Sequence, residues 1–313
     1  MDHGGRRAVG ATDRDWGARN MTGRLRRVLM RRPGLALREA DPAAWHYGPF
    51  FDAERAAAQH AAFTAIVHAS GATVEWLDED GGGGDAAAGW SDGLADAMFT
   101  HDPSLVGEHG AVIARMGKPL RAGEPALHEA FYQRAGIPVL GRIEGPGTLE
   151  GGDTIWLDRS TLAVGRGGRT NAAGIAQLAD LLRPHGVAVH AFDLPWGEGR
   201  AACLHLMSLA SPLASDLMLV FAPMLPFAFR DLLDARGVTC LEAPRDEFEA
   251  TGGLSLNVLA LAPRDVVAVA GAPRTRALME GAGCVVRTFE AEALCIACEG
   301  GPTCLTRPLL RDR

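Results

Sequence analysis

The chain has 313 residues, 47% of them apolar, a formal net charge of −7 and six cysteines. That is enough apolar material for a sizeable core, which excludes a disordered or fibrous chain, and no run of about eighteen uninterrupted apolar residues marks a membrane span. The acidic balance, with no basic cluster longer than LRRVLMRRPG, argues against a nucleic-acid partner, whose affinity rests on neutralised phosphates.

Residues 1–22 mix Arg, Asp and Gly without periodicity and are expected to form a disordered extension, leaving 23–313 as a single domain. They contain no apolar run of the kind a secretory signal needs, so the expected address is the cytoplasm and the cysteines are expected to stay reduced thiols. Beyond Gly23 one pattern repeats with a period of about forty to fifty residues: strand, polar turn, strand, a helix ending at glycine, and a third strand. The helix ends mark it best, because a glycine suited to a left-handed cap is followed each time by strand formers. They read HASGATVEWL, QRAGIPVL, RPHGVAVHAF, DARGVTCLEA and EGAGCVVRTF. The strands ahead of the helices match as well: GAVIARM from Gly110, TLAVGRG from Thr161, LMLVFAP from Leu217 and VVAVAGAP from Val266. Five units can be counted, the first lacking its beginning. The run GGGGDAAAG from Gly81 interrupts that first unit and reads as a surface loop, a mobile lid or a plain insertion. Such units cannot bury their own sheets alone. An α/β fold is therefore expected, with ββαβ units in pseudo-fivefold order around an axis, helices outside and the site on the axis.

The chemistry-bearing residues fall at the heads of successive units. These are LADAMFTHDP with Asp96, His101 and Asp102, LEGGD with Glu150 and Asp153, CLHLMS with Cys203, His205 and Ser208, and GGPTCLTRP with Cys304. In a cyclic arrangement they line one pocket. A thiol, an imidazole and several carboxylates, without a phosphate loop, fit attack on a guanidinium carbon. A thiolate is a strong nucleophile once a neighbouring cation lowers its pKa, and a bound guanidinium can supply that charge. Asp102 suits the planar guanidinium fork, and His205 is of the type that protonates a departing amine and then deprotonates water. Glu150 is placed to orient that imidazole, and Arg121 and Arg169 are of the type that receives a substrate carboxylate bidentately.

Competing readings of single residues remain. Most cysteines are small buried hydrophobes, which is the reading taken for Cys203, Cys240 and Cys284. Cys295, Cys298 and Cys304 could suggest zinc, but no fourth ligand follows them, and no metal or cofactor is expected. His101 and His109 stay open. GRGGRTN lacks both the spacing and the lysine of a phosphate loop.

On FTHDP, MGKPLRAGE, LEGGD, GRGGRTNAAG, CLHLMS and the terminal GGPTC, in that order, the chain resembles the amidinohydrolase and amidinotransferase superfamily, the pentein fold. The resemblance is strongest to dimethylarginine dimethylaminohydrolases and arginine deiminases, and it runs from RLRRVLMRRPG to PTCLTRPLLR. It implies a five-bladed α/β propeller in which Cys304 is the nucleophile, His205 the general acid/base and Glu150 the carboxylate beside it. Asp102 would be the principal guanidinium ligand, Asp96 a further pocket acid, and Arg121 and Arg169 the grip on a substrate carboxylate; Asp153, from its place in LEGGD at a unit head, is taken as another substrate-binding acid. Two positions depart from the pattern. Met207 stands where arginine deiminases and amidinotransferases carry an acid, and His101 where methylarginine enzymes often carry glutamate. The implied partner is a small cationic guanidino compound, with a homo-oligomer left open. The implied product is of citrulline type; amidino transfer to a second amine and non-catalytic ligand binding are the alternatives.

Overall fold

The computed structural model of the protein describes residues 14–77, 93–197 and 204–313. The glycine-rich stretch from Gly81 and Cys203 lie outside them. The first unit runs from β1 (Leu25–Met30) through the short helices α1 (Leu35–Arg38) and α2 (Pro42–Trp45) and the long α3 (Ala53–Ala69) to β2 (Thr73–Trp76). The second is β3 (Ser104–Gly107), β4 (Gly110–Ile113), α4 (Glu124–Arg134) and β5 (Val139–Arg142). The third is β6 (Thr154–Asp158), β7 (Thr161–Arg166), α5 (Ala172–Leu182) and β8 (Ala188–Asp193). The fourth is β9 (Ala210–Ala214), β10 (Leu217–Val220), α6 (Phe227–Ala235) and β11 (Thr239–Glu242). After α7 (Arg245–Ala250) the fifth follows as β12 (Leu259–Ala262), β13 (Asp265–Val269), α8 (Pro273–Gly281) and β14 (Val285–Phe289), and β15 (Arg307–Arg311) ends the chain.

Within each unit the first two strands pair antiparallel, and the helix returns the chain so that the third pairs parallel with the second. The unit that lacks its beginning in the sequence is completed from the far end of the chain. β15 pairs antiparallel with β1, Leu29 opposite Arg307 and Val28 opposite Pro308, and β1 pairs parallel with β2. The result is five three-stranded sheets. The first strands β3, β9 and β12 are buried along their whole length, whereas the third strands β2, β5, β8 and β11 are almost entirely half-buried or exposed. Inner strands thus face the axis and outer strands and helices the periphery, a pentein-type α/β propeller. All five predicted helix-ending glycines, Gly71, Gly136, Gly186, Gly237 and Gly283, have positive φ, between 67° and 86°.

The core sits between units, as expected of modules that cannot cover their own sheets. One cluster joins Leu105 and Val112 of the second unit to Trp156 and Leu178 of the third. Another joins Ile155 and Ala163 of the third to Phe229 and Leu233 of the fourth, and a further one Leu213 and Leu219 of the fourth to Val258 and Met279 of the fifth. Val267 and Phe289 pack on Phe63 and Met30, and Leu29 and Leu309 on Val106 and Tyr132, which closes the ring. No helix among the described residues is long and apolar enough to cross a membrane.

One boundary differs from the expectation. Residues 14–22, counted in the disordered extension, run beside β15: Gly17 N donates to Leu309 O at 2.7 Å, Arg311 N to Gly17 O at 3.0 Å, and Ala18 and Thr22 are buried. β15 would otherwise leave an open edge, and these residues cover it. A chain starting at Gly23 is expected to be about 2 kcal/mol less stable than one starting at Arg14, with Tm lower by several degrees in calorimetry, from two lost hydrogen bonds and the uncovered apolar surface.

Candidate active site

Each inner strand is preceded by a tight turn at the same end of the ring. Ala95–Met98 leads towards β3, Gly151–Asp153 into β6, Leu206–Ser208 into β9 and Leu254–Leu256 into β12. The turn over 301–305 leads into β15. Glycine lets these heads approach. A Cβ on Gly152 would stand 2.6 Å from His205 Nδ1 and 2.9 Å from Asp102 Oδ1, and one on Gly301 2.5 Å from the Asn257 side chain. Gly152→Ala is therefore expected to leave the ring folded by circular dichroism but to lower kcat about a hundredfold, because it pushes apart two side chains that must share one geometry.

Glu150 holds the centre. It is fully buried, its Oε2 meets His205 Nε2 at 2.8 Å, and its Oε1 accepts from the backbone N–H groups of Gly117 at 2.9 Å and Lys118 at 3.1 Å. Arg169 adds a longer contact to Oε2 at 3.4 Å. Burial pushes this carboxyl up, but the His205 hydrogen bond and charge, with Arg169 behind them, outweigh it and bring the pKa down to about 2. Asp102 is equally enclosed, with Oδ2 at 2.6 Å from Arg121 and Oδ1 accepting from Gly152 N at 2.9 Å. Against the upward push of burial, the charges of Arg121 and His205 hold it below the ordinary carboxylate range. Ligand atoms of Asp102, Glu150 and His205 lie within 4.8 Å of one another, a spacing that could suit a metal ion. The carboxylate oxygens are, however, already engaged by the protein donors just named.

Cys304 is partly exposed in its turn, with Asn257 Nδ2 at 3.1 Å from Sγ. The same amide fixes the turn, since Asn257 Oδ1 accepts from Thr303 N at 2.9 Å. His101 N donates to Cys304 O at 3.1 Å, which ties the second head to the last. Cys295 and Cys298 belong to the hydrophobic core, and burial pushes both thiols up, so they are protonated hydrophobes rather than metal-binding thiolates. His101 is buried with Nδ1 at 2.8 Å from Thr306 O, and burial together with Arg307 brings its pKa down to about 3, leaving a neutral ring.

Cys304 and His205 border two cavities at once. One, of about 20 Å³, is polar and bounded by Asp96, Asp102, Lys118, Arg121, Arg169 and Glu299 among others. The other, of about 410 Å³, also touches His101, Gly152, Ser208 and Asn257. Asp96, expected as a pocket acid, lies in the polar one and accepts from Tyr47 OH at 2.8 Å and Lys118 Nζ at 2.7 Å.

Two expected substrate contacts are differently employed. Arg121 is buried between carboxylates. Its Nε and Nη2 fork onto Glu124 at 2.9 and 2.7 Å, Nη1 holds Asp102, and Nη2 also reaches Phe99 O at 3.0 Å. A guanidinium so occupied fixes Asp102 rather than waiting for a substrate carboxylate. Asp153 borders neither cavity. It sits under the His205 turn, where Oδ1 accepts from Leu206 N at 3.0 Å. Burial, only partly offset by His205 and the Thr170 hydroxyl, raises its pKa to about 6. For an acid with a raised folded pKa the associated stability is complete below the unfolded value near 4 and is lost as pH rises through about 6. Thermal scans across that window are expected to show a fall in Tm for the native chain that Asp153→Asn lacks.

Sequence reading missed Asn257, Lys118 and Tyr47. Asn257 had a usable signal: it stands two residues before its inner strand, as Asp102 does. Lys118 stands inside the quoted MGKPLRAGE, three residues before Arg121, and Tyr47 carried no signal.

The arginine deiminase family description matches residues 90–237. An uncharacterized protein of Aeropyrum pernix is 29% identical over 287 residues, 90% of this chain and 94% of its own length. The N(G),N(G)-dimethylarginine dimethylaminohydrolase of Streptomyces coelicolor is 36% identical over 134 residues, 43% of this chain and 49% of that one. Among solved structures, the DDAH of Pseudomonas aeruginosa, a cysteine-to-serine variant complexed with citrulline, superposes with a TM-score of 0.72 at 24% identity, over 92% of this chain and 100% of that chain. At that identity the likeness establishes the fold.

Proposed function

We propose that the chain, whose residues 90–237 match the arginine deiminase family and whose fold is of pentein type, is a member of the amidinohydrolases and amidinotransferases and a cysteine-dependent hydrolase of the guanidinium group of an arginine-type small molecule. The observation that carries this reading is that Cys304 and His205 border the same cavities, with His205 bonded to Glu150 at 2.8 Å and Asp102 beside it.

The Cys304 thiolate attacks the guanidinium carbon and a C–S bond forms. The C–N bond to the leaving amine breaks, and His205 gives that amine its proton. His205 then takes a proton from water, whose oxygen adds to the carbon of the S-bound amidino group. The C–S bond breaks, the sulfur recovers its electron pair, and a ureido product leaves. The overall balance is guanidinium plus water to ureido compound plus ammonium or alkylammonium. Asp102, preset by Arg121 and Gly152, accepts from the guanidinium N–H groups, and Glu150 keeps the imidazole oriented through both proton transfers. Asn257 donates towards the sulfur and supports its anionic form. Arg169 and Lys118 are the cations placed to receive a substrate carboxylate at the polar cavity. The chemistry needs a reduced thiol, which supports a cytoplasmic address.

For the substrate itself, N-methylated arginine is favoured over free arginine by the buried Met207, an apolar wall of the larger cavity. The test is a panel of arginine, monomethylarginine, asymmetric dimethylarginine, agmatine and hydroxyarginine with detection of ureido product. Citrulline from a methylated arginine is the expected result. Ornithine together with an amidinated acceptor would instead make the protein an amidinotransferase, and turnover confined to agmatine would remove the role given to Arg169 and Lys118.

A further inference from the structure

The inner strands run from the catalytic heads to hairpin turns at the opposite end of the ring, and a cavity of about 330 Å³ opens there. The turns joining β6 to β7, β9 to β10 and β12 to β13 supply Arg159, Ser215 and Pro263 to its wall, and the segment ahead of β1 supplies Asn20, Met21 and Thr22. None of its lining residues belongs to the two cavities at Cys304. Asn20 shapes the segment ahead of β1: its Oδ1 accepts from Thr22 N at 3.2 Å and Gly23 N at 2.6 Å, and its Nδ2 donates to Asp312 O at 2.9 Å. The floor is apolar, built from Met21, Trp156, Leu157, Pro212, Met218 and Val238. Trp156 is 4% exposed, and its indole N–H meets no hydrogen-bond acceptor among the described residues.

The mouth is cationic. Arg159 and Arg313 line it, and the carboxylate that pairs with Arg159, Glu108, is divided with Arg19 at 3.9 Å and Arg313 at 4.0 Å. The Arg19 guanidinium stands 5.7 Å from the centre of the Trp156 ring, so positive charge also reaches the floor. Asp158, the acid of the wall, is engaged by its own turn and a neighbour: Oδ1 accepts from Ser160 N at 2.6 Å and Ser160 Oγ at 2.8 Å, and Oδ2 pairs with Arg236. Arg159 and Arg19 thus divide one carboxylate between two guanidiniums, on a chain whose net charge is −7. An anion at the mouth is favoured over a cation, and the floor favours an apolar body behind it.

We propose that this cavity is a second ligand site, taking a monocarboxylate whose aryl or alkyl body of about ten heavy atoms lies on Trp156, Met21 and Met218 while its carboxylate meets Arg159 at the mouth. The volume is that of roughly ten waters, which an organic acid of this size fills. The site stands apart from the hydrolase reading, since none of the residues placed in the chemistry takes part.

The test is calorimetric titration of the full chain with 4-phenylbutyrate, 4-phenylbutylamine and 4-phenylbutan-1-ol, three probes of one shape and different charge. The acid is expected to bind at least about tenfold more tightly than the amine, with the alcohol between them. Val238→Trp, which fills the cavity from its half-buried side, is expected to weaken the acid about tenfold or more. Arg159→Gln is expected to lower the acid-to-alcohol ratio about threefold. Ser215→Trp, at an exposed turn, carries the filling test if thermal denaturation shows that Val238→Trp does not fold. Cys304→Ser is expected to bind the acid as the native chain does. Absence of acid binding, equal binding of acid and amine, binding that survives both tryptophan variants, or binding lost in Cys304→Ser overturns this site and leaves the hydrolase reading in place.

Discussion

Replacing Cys304 by serine is expected to lower kcat by about four orders of magnitude or more while changing stability by less than about 1 kcal/mol. Sγ is partly exposed at the junction of two cavities with Asn257 Nδ2 at 3.1 Å, so a hydroxyl fits the same space and keeps the Asn257 contact. The chemical loss is large because a serine hydroxyl is not appreciably ionised near neutral pH and must lose its proton as it attacks, in the same step in which His205 is needed as the acid for the leaving amine. Turnover assays paired with thermal denaturation of both proteins separate the chemical effect from any folding defect. A variant retaining a tenth of native activity would move the nucleophile elsewhere.

Glu150→Gln is expected to combine a loss of about a hundred- to a thousandfold in kcat with a stability cost of roughly 3 kcal/mol at neutral pH. The carboxylate serves His205, Arg169 and two backbone N–H groups at once, and no water reaches it. A neutral amide keeps the shape but turns one acceptor into a donor facing other donors. The sign with pH follows from the depressed pKa of about 2. The stability this group contributes is fully present above its unfolded value, near 4.5, and is lost as pH falls through about 2. Acid denaturation of the native chain is therefore expected to steepen between those values, and that component is expected to be missing from Glu150→Gln.

The fold was largely legible in the sequence because its repeat is written in two strong local signals. A glycine ends each main helix, and a β-branched run follows it; both are properties of single segments. The unit heads were legible for the same reason, as LEGGD, CLHLMS and GGPTC each stand just before an inner strand. What could not be read was which charges cancel each other. Arg121 stands three residues from Glu124 and nineteen from Asp102, and only the meeting of turn and helix shows that its guanidinium is consumed between them. Asp153 shares a five-residue motif with Glu150, yet the turn sends one side chain into the site and the other under Leu206. Composition alone marks residues 14–22 as irregular, because it does not report an open strand edge that a short irregular segment can cover.

Bond formation between Cys304 sulfur and the substrate's guanidinium carbon is the claim on which the rest depends. Its most direct measurement is the peptide mass of protein quenched in acid during turnover of an N-substituted arginine. The peptide bearing Cys304 is expected to carry the mass of the arginine-derived amidino group without its departed amine, and the Cys304→Ser protein none. Steady turnover with that peptide unmodified at every quench time, or the added mass on another residue, would contradict it.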